Sequence, residues 1–212
     1  MFDPSRLIVF MLAAGALLIT PGPAVLYIVT RSIDQGRIAG IVSVLGIGLG
    51  TLFHVAAAAL GLSAILMSSA LAFDIVKYLG AAYLIYLGLK KLFSKSDAFL
   101  PQQVAHQKLS RIFLQGVVVN ILNPKTALFF FAFLPQFVDP GRGSVPLQML
   151  ILGLIMLGMG LFSDGMYAIL AGTAGNWLRS NQRFLRIQKY VTGSIYILLG
   201  LTAAFAGSNQ DG

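Results

Sequence analysis

Two proline-containing breaks interrupt long apolar stretches of this chain, Pro21-Gly22-Pro23 and Asn123-Pro124-Lys125. A proline inside a helix removes a backbone donor and leaves the carbonyl four residues earlier without its partner. In the hydrocarbon core of a bilayer no water can satisfy that carbonyl, so each break needs a compensating group. Because the breaks occupy matching places in the two halves of the chain, we expect the exposed backbone to form a binding site.

The composition places the chain in a membrane. It is 57% hydrophobic and 10% charged, with a mean hydropathy of +0.83, whereas a soluble domain carries about 25% charged residues. The net charge of +8 comes from Lys and Arg clustered between apolar runs. That distribution is typical of the positive-inside rule and argues against a nucleic-acid partner. The chain has no cysteine, so neither disulfides nor thiolate metal sites are expected.

Six transmembrane helices fit the apolar stretches at about 20 residues each, so the predicted fold is an all-α membrane protein. They lie near residues 7–29, 39–66, 73–92, 112–138, 146–172 and 190–207. Within a single transport domain, 1–212, a polar connector at 94–111 separates two three-helix units, 1–93 and 112–207. The connectors after helices one, three and five hold eleven Lys and Arg against three on the other side, which predicts cytoplasmic connectors and periplasmic termini.

The two halves share short motifs in the same order. The pairs are Pro21 with Pro124, Gly48-Leu49-Gly50 with Gly158-Met159-Gly160, and Gly80-x-x-Tyr83 with Gly193-x-x-Tyr196. Three helices is an odd number, so the second unit must enter the membrane from the opposite side. This pattern predicts an inverted-topology repeat, with helices one and four broken and the binding site near the bilayer midplane.

The residues around the breaks are the candidate substrate-binding residues: Pro21, Gly22, Pro23, Asn120, Asn123, Pro124 and Lys125. Half-helices that start after each break would direct partly positive N-termini at a carboxylate, and the freed carbonyls would suit an ammonium group. A zwitterionic amino acid presents both groups. The alternative is structural, with ordinary proline kinks, asparagines that cap a half-helix, and Lys125 as one member of an ion pair.

Asp164 and His54 are the candidates for proton coupling. Asp164 is the only acid deep within an apolar stretch, and each of the two follows a Gly-x-Gly-x-x-x pattern in its half of the chain. Either group could take up and release a proton during transport. The alternatives are a salt bridge from Asp164 to Lys125 and a neutral His54 bonded to a neighbouring helix. No third ligand is spaced to join the two, so no metal or cofactor is expected.

The glycine motifs favour close helix packing. Gly36-x-x-x-Gly40 and Gly46-x-x-x-Gly50 would let helices approach closely, and glycine-lined surfaces make a homodimer plausible. The aromatic run Phe129-Phe130-Phe131, with Phe133 and Phe137, is expected to face lipid or neighbouring helices.

With these residues in view, the chain resembles the LysE/RhtB family of bacterial amino-acid exporters nearly end to end. The resemblance rests on Thr20-Pro21-Gly22-Pro23, the glycines Gly36, Gly40, Gly46 and Gly50, the segment 80–88, Asn120-x-x-Asn123-Pro124-Lys125, and Phe133-Leu134-Pro135-Gln136-Phe137. It implies export of small neutral amino acids or derivatives across the inner membrane, driven by the proton motive force. The homoserine and threonine branch looks nearest, with the leucine, cysteine and lysine branches as alternatives.

Other classes of function fit less well. An exporter of inorganic ions on a related fold could use Lys125 and the helix ends for an anion. An intramembrane enzyme needs a nucleophile or a metal cluster facing a general base, and one Asp with one His on separate helices does not supply it. A membrane scaffold without transport would not need the buried polar residues. We therefore predict a transporter and no enzymatic activity.

Overall fold

The computed structural model describes residues 2–62, 70–93 and 106–180, with the helical positions 190, 194, 197, 198 and 201. The helices are α1 (Pro4–Ile19), α2 (Pro23–Ala56), α3 (Ala70–Phe93), α4 (Leu109–Ile121), α5 (Pro124–Leu128) and α6 (Val145–Ser180). π-helical turns occupy Ala57–Leu62 and Phe129–Phe133, and 3-10 turns occupy Leu134–Phe137 and Pro140–Arg142. No strand occurs in these described ranges, so the all-α prediction is confirmed for them.

Two of the described helical segments are long and apolar enough to cross a membrane, Pro23–Leu62, which reverses direction at Gly36, and Val145–Thr173. A third is added if Leu109–Ile121 and Pro124–Phe137, which meet at a bend of 46°, are one span. Most of the connector, most of the predicted sixth helix and the motif Gly193-x-x-Tyr196 lie outside the described residues. The six-helix inverted repeat therefore stays a prediction.

Helix α2 folds back on itself at Gly36, which has φ +83° and ψ 177°. A Cβ on Gly40 would lie 3.1 Å from the Cβ of Ser32, although residues eight apart in a straight helix are about 12 Å apart. Ala24 and Ile28 also share one apolar cluster with Val44 and Ile47. The helix is thus a hairpin, with a first limb at 23–35 and a second limb at 37–56. Gly36 makes a turn here, where the sequence motif suggested helix packing.

Glycines bring the second limb into backbone contact with α4. A Cβ on Gly46 would lie 2.3 Å from the carbonyl oxygen of Phe113, and one on Gly50 would lie 2.8 Å from the Cβ of Asn120. From the α4 side, a Cβ on Gly116 would lie 3.3 Å from the Cα of Gly46. Dispersion contacts at this range require the absence of side chains on both faces. The second limb and α4 therefore form one tight pair that positions Asn120.

An aromatic cluster fills the space on the far side of the second break. Phe129, Phe130 and Phe133 are fully or almost fully buried, and the ring of Phe10 from α1 lies 5.9 Å from that of Phe129. Phe137 joins the cluster from the 3-10 turn, 5.3 Å from Phe10. These phenylalanines pack against neighbouring segments, which is one of the two environments expected for the run.

Replacing Gly36 with Ala is expected to lower the free energy of unfolding by about 1–3 kcal/mol, because its backbone conformation is essentially restricted to glycine. No atom of the described residues lies within 4 Å of the Cβ that alanine would add. The loss of stability therefore measures backbone strain and not a steric clash. Unfolding in mixed detergent micelles measures it. Gly158→Ala is the matched control, since its Cβ also meets nothing within 4 Å and its φ is not positive. Equal losses in the two variants would contradict the turn.

Candidate functional site

Both breaks line one internal cavity of about 50 Å³. The break between α1 and α2 contributes Gly22, and the break between α4 and α5 contributes Asn123 and Lys125. Helix α6 adds Asp164, and the second limb of α2 adds Thr51. The cavity has room for a few water molecules, since one needs about 10–15 Å³. Two breaks that are far apart in the sequence therefore open into one shared cavity, in which polar side chains stand among apolar ones.

At the first break, side chains from other segments take the carbonyls that the prolines free. Pro23 lacks the N–H that would reach the carbonyl of Ile19, and the hydroxyl of Tyr167 donates to that oxygen instead, at 2.7 Å. The ammonium group of Lys125 donates to the neighbouring carbonyl of Thr20. Thus α5 and α6 are both tied to the end of α1 by backbone acceptors that the break exposes.

The second break is compensated in the same way. Pro124 cannot donate to the carbonyl of Asn120, and Nε2 of His54 lies 3.0 Å from that oxygen. Because a carbonyl only accepts, Nε2 carries the proton and donates it. The ring of His54 is buried and stacks on Phe130 at 5.9 Å. Its Nδ1 is buried and has no partner among the described residues.

These contacts change the expected role of the freed carbonyls. The sequence suggested that they would hold a substrate ammonium group, but those of Ile19, Thr20 and Asn120 already accept hydrogen bonds from protein donors. The carbonyl of Leu17, freed by Pro21, accepts from the backbone N–H of Thr20 at 3.1 Å. The carbonyls therefore hold the segments together.

The N-terminus of α2 remains open to the cavity. Gly22 is its N-cap and provides no side-chain hydrogen bond, and Pro23 has no N–H. Ala24 and Val25 follow in the first turn and line the cavity. The N–H groups of a first helical turn have no intrahelical acceptor and carry the positive end of the helix dipole. In α5, by contrast, the side chain of Asn123 caps the backbone N–H of Lys125 at 3.1 Å.

Asn120 organises one wall of the cavity. Its amide nitrogen donates to the carbonyl of Ile47 at 2.9 Å and to the hydroxyl of Thr51 at 2.8 Å. Its amide oxygen accepts from the hydroxyl of Thr126 at 2.9 Å and from the amide of Asn123 at 3.3 Å. The side chain is buried, and all four bonds stay within the protein. It therefore joins the second limb of α2 to the second break.

Lys125 and Asp164 place opposite charges in the same cavity. Both side chains are buried, and both line the same cavity. They do not form a contact ion pair, because the ammonium group is turned toward the carbonyl of Thr20. The carboxylate of Asp164 has no hydrogen-bond partner among the described residues. The cavity thus holds an open carboxylate on one wall and donors on the other.

The structure brings most of the predicted site residues together. Gly22, Asn120, Asn123, Lys125 and Asp164 line the cavity, while the three prolines shape its walls and His54 contacts it through Asn120. The sequence reasoning missed Thr20, Thr51, Thr126 and Tyr167. Thr20 and Tyr167 carried usable signals, since the first adjoins a break and the second lies one helical turn after Asp164.

Comparison with known proteins gives a family match over most of the chain. A family model described as LysE type translocator matches residues 15–207. The homoserine/homoserine lactone efflux protein of Salmonella typhimurium is 30% identical over 197 residues, covering 93% of this chain and 95% of that protein. The membrane protein YrhP of Bacillus subtilis is 31% identical over 204 residues, covering 92% and 96%. No solved structure matches the chain significantly.

Asn120→Ala is expected to lower the free energy of unfolding by about 2–3 kcal/mol, because it removes several buried hydrogen bonds at once. Thr51→Val is the control, since it removes only one of those bonds and keeps the shape of the side chain. Thr51→Val should lower the free energy of unfolding by about 1 kcal/mol. Unfolding in mixed micelles compares the two. A loss for Asn120→Ala no larger than for Thr51→Val would contradict its organising role.

Proposed function

Because this chain belongs to the LysE type translocator family, we propose that it exports small neutral amino acids or their derivatives, of the homoserine and threonine type, across the bacterial inner membrane. One observation carries the proposal. A single cavity is lined by a buried cation, a buried carboxylate and the first turn of a helix without a side-chain cap. Those groups match the two charges of a zwitterion.

The carboxylate of the substrate would bind at the first turn of α2. Ala24 and Val25, whose N–H groups have no intrahelical acceptor, line the cavity, and Lys125 lines it as well, with its ammonium group at the carbonyl of Thr20. An anion there meets both a charge and backbone donors, which gives charge-assisted hydrogen bonds. The proposed role of Pro21, Gly22 and Pro23 is to keep this helix end inside the membrane.

The ammonium group of the substrate would bind Asp164. This carboxylate faces the cavity and has no hydrogen-bond partner among the described residues, so a cationic partner would remove the cost of burying it alone. The carboxylate offers a full negative charge, whereas the freed carbonyls offer only a dipole and already accept hydrogen bonds from protein donors.

The remaining wall suits a short polar side chain. Thr51, Asn120 and Thr126 present hydroxyl and amide groups whose mutual hydrogen bonds leave acceptor capacity unused. Leucine side chains complete the lining. A hydroxyl-bearing amino acid fits this pairing of polar and apolar surface. The relative named for homoserine and homoserine lactone efflux supports the same class.

Proton coupling is proposed to act through Asp164. When the carboxylate takes up a proton from outside, it loses its charge and its hold on the substrate ammonium group. Returning to the inside and losing the proton restores the binding site, so export of one substrate accompanies proton entry. His54 is the second candidate, although its hydrogen bond to Asn120 also gives it a structural role.

The proposed arrangement in the membrane follows from the sequence. Two three-helix units of opposite orientation would rock against each other around the cavity, with both termini in the periplasm. The two breaks at one cavity support this scheme, because each unit then contributes one of them.

Counterflow in proteoliposomes tests the substrate class, and Lys125→Met tests the carboxylate site. The wild-type protein should exchange homoserine and threonine, and Lys125→Met should slow that exchange by about 30-fold or more, since it removes a buried charged partner. Lys125→Arg, which keeps the charge, is the control. An amino alcohol without the carboxylate should inhibit wild-type protein and Lys125→Met equally. Exchange of an inorganic anion but of no amino acid would overturn the proposal.

Asp164→Asn is expected to reduce the accumulation of amino acid driven by a pH gradient about tenfold or more, because the amide cannot carry a proton. His54→Gln keeps a donor for the carbonyl of Asn120 and should retain the pH-driven transport. The measurement is threonine or homoserine transport in proteoliposomes with an imposed pH gradient. Normal pH-driven transport in Asp164→Asn, or its loss in His54→Gln alone, would contradict the assignment to Asp164.

A further inference from the structure

We propose that the seam between the first limb of α2 and α4 is the gate through which solute reaches the cavity from the end of the molecule at Gly36. The gate residues are Tyr27, Arg31, Gln35, Gln107 and Gln115. The inference rests on the proposed transport function for its purpose, although the opening of the seam can be measured without any substrate.

Hydrogen bonds from polar side chains cross this seam near Arg31, while Val119 makes apolar contact with the cluster of Ala24 and Ile28 nearer the cavity. The guanidinium group of Arg31 donates to Gln35 at 3.1 Å and to Gln115 at 3.0 Å. The hydroxyl of Tyr27 donates to the carbonyl of Ile112 at 2.7 Å. Arg31 also lies over the Tyr27 ring, 5.6 Å from its centre. Arg31 is about 10 Å along the helix from Ala24 in the cavity wall, so these contacts close the passage between cavity and turn.

The seam continues to the end of the first limb. The side-chain amide of Gln35 donates to the backbone carbonyl of Gln107 at 2.9 Å and accepts from its N–H at 3.0 Å. The side-chain oxygen of Gln107 is buried without a partner among the described residues. An unsatisfied buried acceptor favours an open state in which water can reach it.

The neighbouring seam cannot open in this way. The second limb and α4 are in backbone contact through Gly46 and Gly116, and separating them would lose those dispersion contacts together with the hydrogen bonds of Asn120 to Ile47 and Thr51. Hydrogen bonds such as those of Arg31 are exchanged for hydrogen bonds to water when the seam opens, so their loss is largely compensated. Of these two seams in the described part of the chain, the polar one therefore separates at lower free energy.

The first limb is also jointed at both ends. It starts at the interruption formed by Pro21 and Gly22 and ends at Gly36, whose φ of +83° breaks the helix. The 13 residues between them (23–35) can therefore move as a rigid body about a hinge at each end. Ala24 and Val25 lie at the cavity end of the first limb and line the cavity, so movement of the limb also widens the cavity.

The opposite end of the cavity is closed differently. The aromatic cluster of Phe10, Phe129, Phe133 and Phe137 fills that side, with ion pairs such as Arg142 to Asp139 at 3.3 Å on the surface above it. An apolar closure and a hydrogen-bonded closure can open independently, which alternating access requires.

A single cysteine in the cavity tests the gate, because the natural chain has none. Met156→Cys places a thiol in the cavity lining, and a small cationic methanethiosulfonate reports its accessibility from each face of oriented vesicles. Arg31→Gln should raise the labelling rate about tenfold from one face only, because it removes the charged hydrogen bond to Gln115 across the seam. Arg37→Gln, an exposed arginine on the other side of the turn, is the control and should leave the rate unchanged.

A crosslink tests the same gate in a protein that keeps Arg31. In Gln35→Cys/Gln107→Cys, a short cleavable bifunctional thiol reagent should block counterflow at least tenfold, and a reducing agent should restore it. In each single-cysteine variant the reagent should leave the rate of counterflow where it was before treatment. Full transport by the crosslinked protein, or equal labelling rates in Arg31→Gln and wild type, would overturn the gate. Faster labelling of Arg31→Gln without amino-acid exchange in any variant would support the gate and overturn the proposed substrate.

Discussion

The need to satisfy backbone carbonyls inside the bilayer governs the centre of this protein. Prolines free the carbonyls of Ile19 and Asn120, and Tyr167 and His54 reach them from other segments. The carbonyl of Thr20 is taken by Lys125. Each hydrogen bond joins parts of the chain that are 66 or more residues apart. An unpaired backbone carbonyl would cost several kcal/mol in lipid. Here the side chains that satisfy these carbonyls also connect the helices to one another.

This use of the carbonyls decides which groups are left for a ligand. With the acceptors occupied, the cavity offers the N–H groups at the start of α2, the ammonium group of Lys125 and the carboxylate of Asp164. Lys125 has two functions in this arrangement, since it satisfies Thr20 and also supplies the positive charge. A substrate carboxylate would share that ammonium group with the carbonyl, which an ammonium group with three donors permits.

The features that could be predicted are those written in local sequence. The apolar stretches, the two breaks, the buried Lys125 and Asp164 and the extent of the helix near 146–172 all follow from hydropathy and proline chemistry. The partners of the freed carbonyls could not be predicted, because Tyr167 and His54 are brought there only by the packing of α6 and the second limb. The Gly36-x-x-x-Gly40 motif predicts a packing glycine at position 36, and the structure has a turn there. The sequence alone does not distinguish a glycine with positive φ from one at a helix contact.

Cavity size and gating are linked through the first limb of α2. A space of about 50 Å³ holds a few waters, and a small amino acid needs somewhat more room, so a wall must move outward on binding. The wall formed by the second limb and α4 is locked by glycine contacts. The first limb has a hinge at each end and is held to α4 by polar contacts. It also contains the N–H groups that would bind the substrate carboxylate. Movement of this one element would therefore change both access to the cavity and the geometry of the binding site, which couples ligand binding to gate opening.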